Sequence, residues 1–443
     1  MSAPPFLLTE KLIQSLRTLC AQPSSVGQLD DLRATADLIA RRLHSLGMHV
    51  RVHTAGPPVV IGRCAGRSER VLLLYHRFDA PPTGPWLMWS HEPYQLAERD
   101  GALYGRGVAE GKGPLVAHLQ ALQALLQADG DLPCGIVFVA DGGGLLGSPS
   151  LPAAIAAHSD LLTADFCLGS TGERDAVSNP LCYSGSKGLL QVRLSARGPG
   201  HPLPPGAAPS LRNPLWRITW ALASIKGEDE DIRIPGFYDQ VDGPTREENI
   251  ALRAIRLDEA GRLAAWGADG FLFGMSGVAL VRAEVTLPTC NLSSIHCEPE
   301  HELAQLPALA TAVLDFQLVP HQVPETVATL LREHLDDRGF TDVSLERLPG
   351  GYPPARTDPD SMFVRQVAAA GAEVFGSLLP VVPAGPFALP LQLFAAQLGC
   401  PVASVGMALP GSSPYGPDEH IPLEELARHG QLLIELVLAL GGR

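Results

Sequence analysis

Residues 71–82 read VLLLYHRFDAPP. The apolar residues from Val71 to Tyr75 form a short continuous run, as expected of a strand buried on both faces, and the run then breaks into His76, Arg77 and Asp79. Upstream, residues 30–47 (DDLRATADLIARRLHSLG) place apolar positions at helical spacing and stop at Gly47. Downstream, residues 112–128 read as a helix and residues 135–140 (GIVFVA) as a second buried strand. Strand, helix, strand in that order predicts an α/β fold, with a largely parallel sheet and crossover helices. Chemistry in such sheets gathers beyond the C-terminal ends of strands, which directs attention to the loops after Tyr75 and Ala140.

The pattern changes near residue 186. Residues 188–196 (GLLQVRLSA) and 311–319 (TAVLDFQLV) alternate apolar and polar, the mark of half-exposed antiparallel strands, while helices are expected over about 214–225 and 324–337. The α/β pattern resumes after about 350 and ends in a helix near 422–440. The expected organisation is one α/β domain built from residues 1–186 and 350–443, with an α+β domain of residues 187–349 inserted into it.

Composition narrows the function classes. Lys and Arg total 33 against 47 Asp and Glu, a net charge of -14, with no dense basic stretch, so neither nucleic acid nor an anionic membrane is an expected partner. The eight cysteines contain no C-x-x-C pair and are scattered, as in reduced core thiols. Residues 1–20 lack the basic start, apolar stretch and small-residue cleavage site of a secretory signal, and no run approaches 18 apolar residues, so the expected location is cytoplasmic.

Four segments in order resemble the di-zinc metallopeptidase family of aminoacylases, carnosinase-type dipeptidases, acetylornithine deacetylase and succinyl-diaminopimelate desuccinylase. They are LLLYHRFDAPP (72–82), LYGRGVAEGKG (103–113), VADGGGLLGSPSL (139–151) and PYGPDEHIPLEEL (414–426); IPGFYDQV (234–241) and LVPHQVPETV (318–327) are similar to the dipeptidase branch in particular. The resemblance implies a zinc-exopeptidase-like three-layer catalytic domain with an inserted lid and dimerisation domain, hence a homodimer. It also implies two zinc ions roughly 3.5–4 Å apart that activate water on an amide carbonyl, with a glutamate as general base.

Carried over one position at a time, that chemistry meets altered residues. The resemblance puts the bracing aspartate at Asp79, but Arg77 stands where the first ligand histidine belongs. His76 lies one residue early, on the opposite face of the strand. Glu110 stands for the bridging aspartate, Gly144 for the general base, Leu145 for the next ligand, Ser170 for a ligand aspartate and Tyr415 for the last ligand histidine. Lys112 follows in the same Gly-Lys-Gly turn as Glu110. The lid histidine falls near Pro204, with His201 the nearest alternative, and the substrate-carboxylate arginine falls at Pro383. Of these ligand positions only Glu110 is competent to bind metal, so no resident cofactor is expected. Arg77 is expected to fill the vacated space and pair with Glu110 and Asp79, exchanging divalent charge for one fixed cation. His76 is expected to pack, Cys167 and Cys182 to be inert buried thiols, and Gly142-Gly143-Gly144 to be a tight turn.

Three functional readings remain open. The leading one is a dipeptidase-like homologue without zinc hydrolysis that binds a small peptide-like or acyl-amino-acid-like ligand, or a partner chain, itself or an active relative. The second is a metal-independent enzyme (acyl transfer, cyclisation or condensation) working in the same cleft through Arg77, Asp79, Glu110, Lys112 or Tyr415. The third is an unorthodox metallohydrolase of dipeptides or N-acyl amino acids, the one reading that brings zinc back.

Overall fold

The strand expected at Val71 runs to Arg77, and every residue from Leu72 to His76 is buried. The computed structural model describes residues 3–299 and 303–442; residues 1, 2, 300–302 and 443, which fall inside the three sequence-expected ranges, lie outside it. Contacts divide the chain into two units: residues 1–186, 244–286 and 355–443 form the first, and residues 187–243 and 287–354 the second. Residues 244–286, which the sequence reading placed in the inserted domain, therefore group with the α/β unit. Their helices Arg246–Ala254 and Gly277–Thr286 bury Leu252, Val281 and Val285 against Leu181, Tyr183 and Val382 of that unit.

Among the described residues of the first unit, eight strands form one sheet. Its order is His49–His53, Val59–Cys64, Gly135–Asp141, Val71–Arg77, Phe166–Gly169, Val402–Ser404, Cys182–Tyr183 and Val381–Val382. The four central strands, from Gly135–Asp141 to Val402–Ser404, run parallel to one another, and each end of that set meets an antiparallel neighbour. Alternation along the central strand then builds the layers. Leu72 and Leu74 join a core with the helices Glu10–Ala21, Leu29–Ser45, Lys112–Asp129, Met362–Phe375 and Leu423–Gly441. Leu73 and Tyr75 face the other way, into a core with Leu151–Ala157 and Leu391–Leu398. The result is a helix–sheet–helix sandwich, which is why the run VLLLY carries no polar position. Truncating Leu73 to alanine in such a core costs about 2–5 kcal/mol.

Among the described residues, the second unit contributes four antiparallel strands to a sheet, in the order Thr289–Glu298, Leu309–Leu318, Gly185–Arg197 and Val343–Arg347. The helices Pro214–Ile225 and Pro324–Asp337 supply residues to its core, including Ile218, Ala221, Val327 and Leu331. The alternating burial of Leu309–Leu318 is that of a sheet covered on one face. No helix among the described residues is long and apolar enough to cross a membrane.

Candidate functional site

The site is built where the central strand ends. Strand alternation sends Arg77 and its neighbour His76 to different surroundings, and each finds a separate set of partners.

The Arg77 guanidinium pairs with the Glu110 carboxylate, both side chains being largely buried. The Tyr415 hydroxyl, on a residue that is otherwise exposed, also hydrogen-bonds Arg77. Burial works to lower the Arg77 pKa, but the Glu110 and Asp79 carboxylates and the hydrogen bond to Tyr415 more than reverse it, so the guanidinium is a permanent cation. Room for it comes from Gly144: a Cβ there would lie 2.8 Å from the Arg77 Cβ and 3.3 Å from its Cδ. A side chain at position 144 and this placement of Arg77 therefore exclude each other.

The expected second pairing, of Arg77 with Asp79, is not an ion pair. Asp79 Oδ2 instead accepts the Leu145 backbone N–H at 2.7 Å. Asp79 is buried, and its Oδ1 has no hydrogen-bond partner among the described residues. Burial and the neighbouring Asp141 charge push its pKa up to about 7, with Arg77 and the Leu145 N–H pulling the other way. Leu145 thus contributes its backbone to the site.

Glu110 is held by a residue that the sequence reading did not single out. The Glu419 carboxylate accepts backbone N–H bonds from Gly107 (2.8 Å), Ala109 (3.0 Å) and Glu110 (3.4 Å), and it pairs with Arg106 at 3.0 Å. Burial of Glu419 outweighs these donors and raises its pKa to about 7. The loop needs such an anchor because Gly107 and Gly111 sit at φ of +93° and +84°, and the helix Lys112–Asp129 starts directly afterwards. The only sequence signal for Glu419 was its place in PYGPDEH beside the Tyr415 position.

Lys112 and Ser170 are not gathered around Arg77. The buried Lys112 ammonium donates to the Gln22 carbonyl at 2.8 Å, and burial brings its pKa down to about 8. Ser170 Oγ lies 3.0 Å from His76 Nδ1, and His76 Nε2 lies 3.1 Å from His118 Nδ1. His118 in turn stacks on His429 with ring centroids 4.6 Å apart, and His76 stacks on Phe138. All three histidines are buried; burial, reinforced by their neighbours' charges, brings His76 and His429 down to about 3 and His118 also well below 6.5. His76 is thus a packed histidine inside a neutral stack. Residues His118 and His429 lie on the helices Lys112–Asp129 and Leu423–Gly441, and as single histidines on apolar helices they gave no signal in the sequence.

The remaining expectations divide in the same way. Cys182 is buried, with its thiol pushed up to about 12 by burial, and burial also raises the Cys167 thiol well above its ordinary value. The Asp141 side chain accepts the Gly143 N–H at 2.8 Å, which closes the glycine turn. His201 is exposed and lies in the second unit. Among the described residues, no group of three or more His, Cys, Asp or Glu side chains is arranged to hold a metal ion.

Comparison with known proteins adds the relatives. The model of a family described as "Peptidase family M20/M25/M40" matches residues 74–439. A cysteinylglycine-S-conjugate dipeptidase of Corynebacterium striatum is 26% identical over 98% of this chain and 96% of its own length. The Beta-Ala-His dipeptidase of Rattus norvegicus is 24% identical over 63% of this chain, and the match spans only 58% of that relative's length. Among solved structures, an M20 family metallo-carboxypeptidase from Sulfolobus solfataricus superposes with a TM-score of 0.90, at 26% identity, covering 98% of this chain and 100% of that one.

Proposed function

The chain belongs to peptidase family M20/M25/M40, and from that premise we propose that it is a dipeptidase-like member which binds a small peptide-like or acyl-amino-acid-like ligand without zinc-dependent hydrolysis. The observation that carries this reading is the Arg77–Glu110 pair, with Gly144 vacating the space beside it. A pair of zinc ions does not fit these residues. The one carboxylate available as a bridge is neutralised by a guanidinium, Gly144 has no side chain to accept a proton, and Leu145 offers only its N–H, already given to Asp79. A fixed cation at Arg77 supplies charge for orienting a carbonyl or carboxylate but cannot ionise water as a metal does.

In this reading the chain's own groups hold the ligand. Arg77 and the Tyr415 hydroxyl are its donors, and buried Asp79, with a pKa near 7, exchanges a proton close to neutrality. We extend the proposal to a homodimer formed through the second unit. There the sheet ends in the strand Thr289–Glu298, which pairs on one side only and exposes Leu292 and Ile295.

The names of the relatives favour a second reading, metal-dependent hydrolysis of dipeptides. The test is calorimetric titration with Cys-Gly and β-Ala-His, run beside a hydrolysis assay with zinc or manganese added and then removed by chelator. Saturable binding without chelator-sensitive hydrolysis is the expected result. Hydrolysis that follows the metal would overturn the proposal in favour of the second reading, and turnover indifferent to chelator would replace it with a metal-independent enzyme.

A further inference from the structure

Away from the Arg77 site, the helices Glu10–Ala21, Leu29–Ser45 and Lys112–Asp129 line a half-open cavity of about 290 Å³. That volume lies near the lower end of the range for small-molecule sites. Leu19, Leu38, Val116 and Leu119 form an apolar strip of its wall, Ser15, Thr18, Ser45 and Gln120 add polar groups, and two arginines, Arg41 and Arg42, share the lining. No carboxylate lines it.

The partners of the two arginines are the informative part. Arg42 is half-buried, and its guanidinium donates only to neutral groups, the Gln123 side-chain carbonyl and the Ser45 hydroxyl, the latter at 3.2 Å. Burial accordingly pulls its pKa down, with no compensating anion. Arg41 is exposed, and among the described residues its side chain has neither an ion pair nor a hydrogen bond. Buried charges are ordinarily paired, because desolvating one without a counter-ion is costly. Among the described residues the half-buried Arg42 has no counter-ion, beside a cavity with room for one.

We propose that this cavity binds a small amphipathic anion, a single carboxylate on a short apolar chain. The carboxylate sits between Arg41 and Arg42, whose planar guanidinium groups suit two-point contacts to its oxygens. The apolar chain lies along Leu19, Leu38, Val116 and Leu119, where its burial adds hydrophobic free energy. Because none of these residues touches the Arg77 site, the inference stands apart from the proposed function.

The test is isothermal titration of the full chain with octanoate, run beside octylamine (same tail, opposite charge) and acetate (same head, no tail). The expected result is one saturable site for octanoate, half-filled at or below about 1 mM, with no saturation by the other two. Arg41→Glu, at an exposed position with no ion pair or hydrogen bond to lose among the described residues, should weaken octanoate binding by about tenfold or more, and Arg42→Gln should do the same. Glu110→Gln should leave it unchanged, which separates this site from the Arg77 site. Absence of octanoate saturation, equal binding of octylamine, or full affinity in Arg41→Glu would overturn the proposal.

Discussion

Replacing Arg77 by methionine asks whether its guanidinium is a structural part of the site or a solvated loop side chain. In the folded chain it faces Glu110, and the two side chains are only 15% and 16% exposed. Removing one partner of a buried pair strands the other charge, at a cost of about 3–5 kcal/mol. The remaining exposure lets water reach part of the Glu110 carboxylate, so about 3 kcal/mol is the appropriate figure. Such a loss raises the population of locally opened molecules roughly a hundredfold. Making the second substitution, Glu110→Gln, removes the stranded charge and should recover most of the loss. Since the chain has two units, a single unfolding midpoint can mix two transitions. Hydrogen exchange read by mass spectrometry on peptides covering 72–82 and 103–113 avoids this, because it reports local opening directly. Arg77→Met is expected to speed exchange there about a hundredfold, and the double variant to return within about tenfold of the native rate. Exchange in Arg77→Met within about threefold of native would refute the reasoning, since a solvated arginine has little to lose.

Other consequences follow from the same geometry. Gly144→Ala should destabilise the first unit by about 1–3 kcal/mol, because the new Cβ forces Arg77 aside; the disturbance should appear in the 103–113 peptide as well as around position 144. Asp79, at about 7 when folded against 3.8 when unfolded, favours the folded state below pH 3.8 and loses that contribution as pH rises to about 7. At about 1.4 kcal/mol per pH unit the upper limit is about 4 kcal/mol, so Asp79→Asn should gain on the native chain across that window and run parallel to it above pH 7 in urea titrations. The histidine stack acts in the opposite sense. His429 folds with a pKa of about 3 against 6.5 unfolded, so its neutral form stabilises above pH 6.5 and that contribution is lost as pH falls towards 3. His429→Phe, which keeps a ring on His118, should spare about 2 kcal/mol of the loss between pH 8 and pH 5; an unchanged acid profile would count against a neutral stack. Finally, light scattering should give the mass of two chains, and Ile295→Asp should give one; a native monomer would end the dimer proposal.

The elements were legible because their signals are local. The strand at 71, the helix that stops near Gly47, the helix at 112 and the strand at 135 all follow from periodicity and a glycine exit, and each is present within a residue or two. The allegiance of residues 244–286 was not legible. Their amphipathic helices show that Leu252 and Val285 need a core, but not which core, and the answer lies in contacts with Tyr183 and Val382 far along the chain. The site divided on the same line. That Arg77 meets Glu110 followed from motif spacing and the tendency of buried charges to pair. That Glu419 anchors the loop carrying Glu110, and that His118 and His429 extend a stack from His76, depends on residues about 300 apart in sequence, which no local pattern announces.

The central claim is that a guanidinium–carboxylate pair, Arg77 with Glu110, occupies the place where the family resemblance implies the metal site. Its most direct test is the zinc content of the chain purified without chelator, after zinc is added back and free metal removed, measured by elemental analysis. The account predicts far less than one zinc per chain. About two firmly held zinc ions per chain, as a two-metal hydrolase requires, would contradict it.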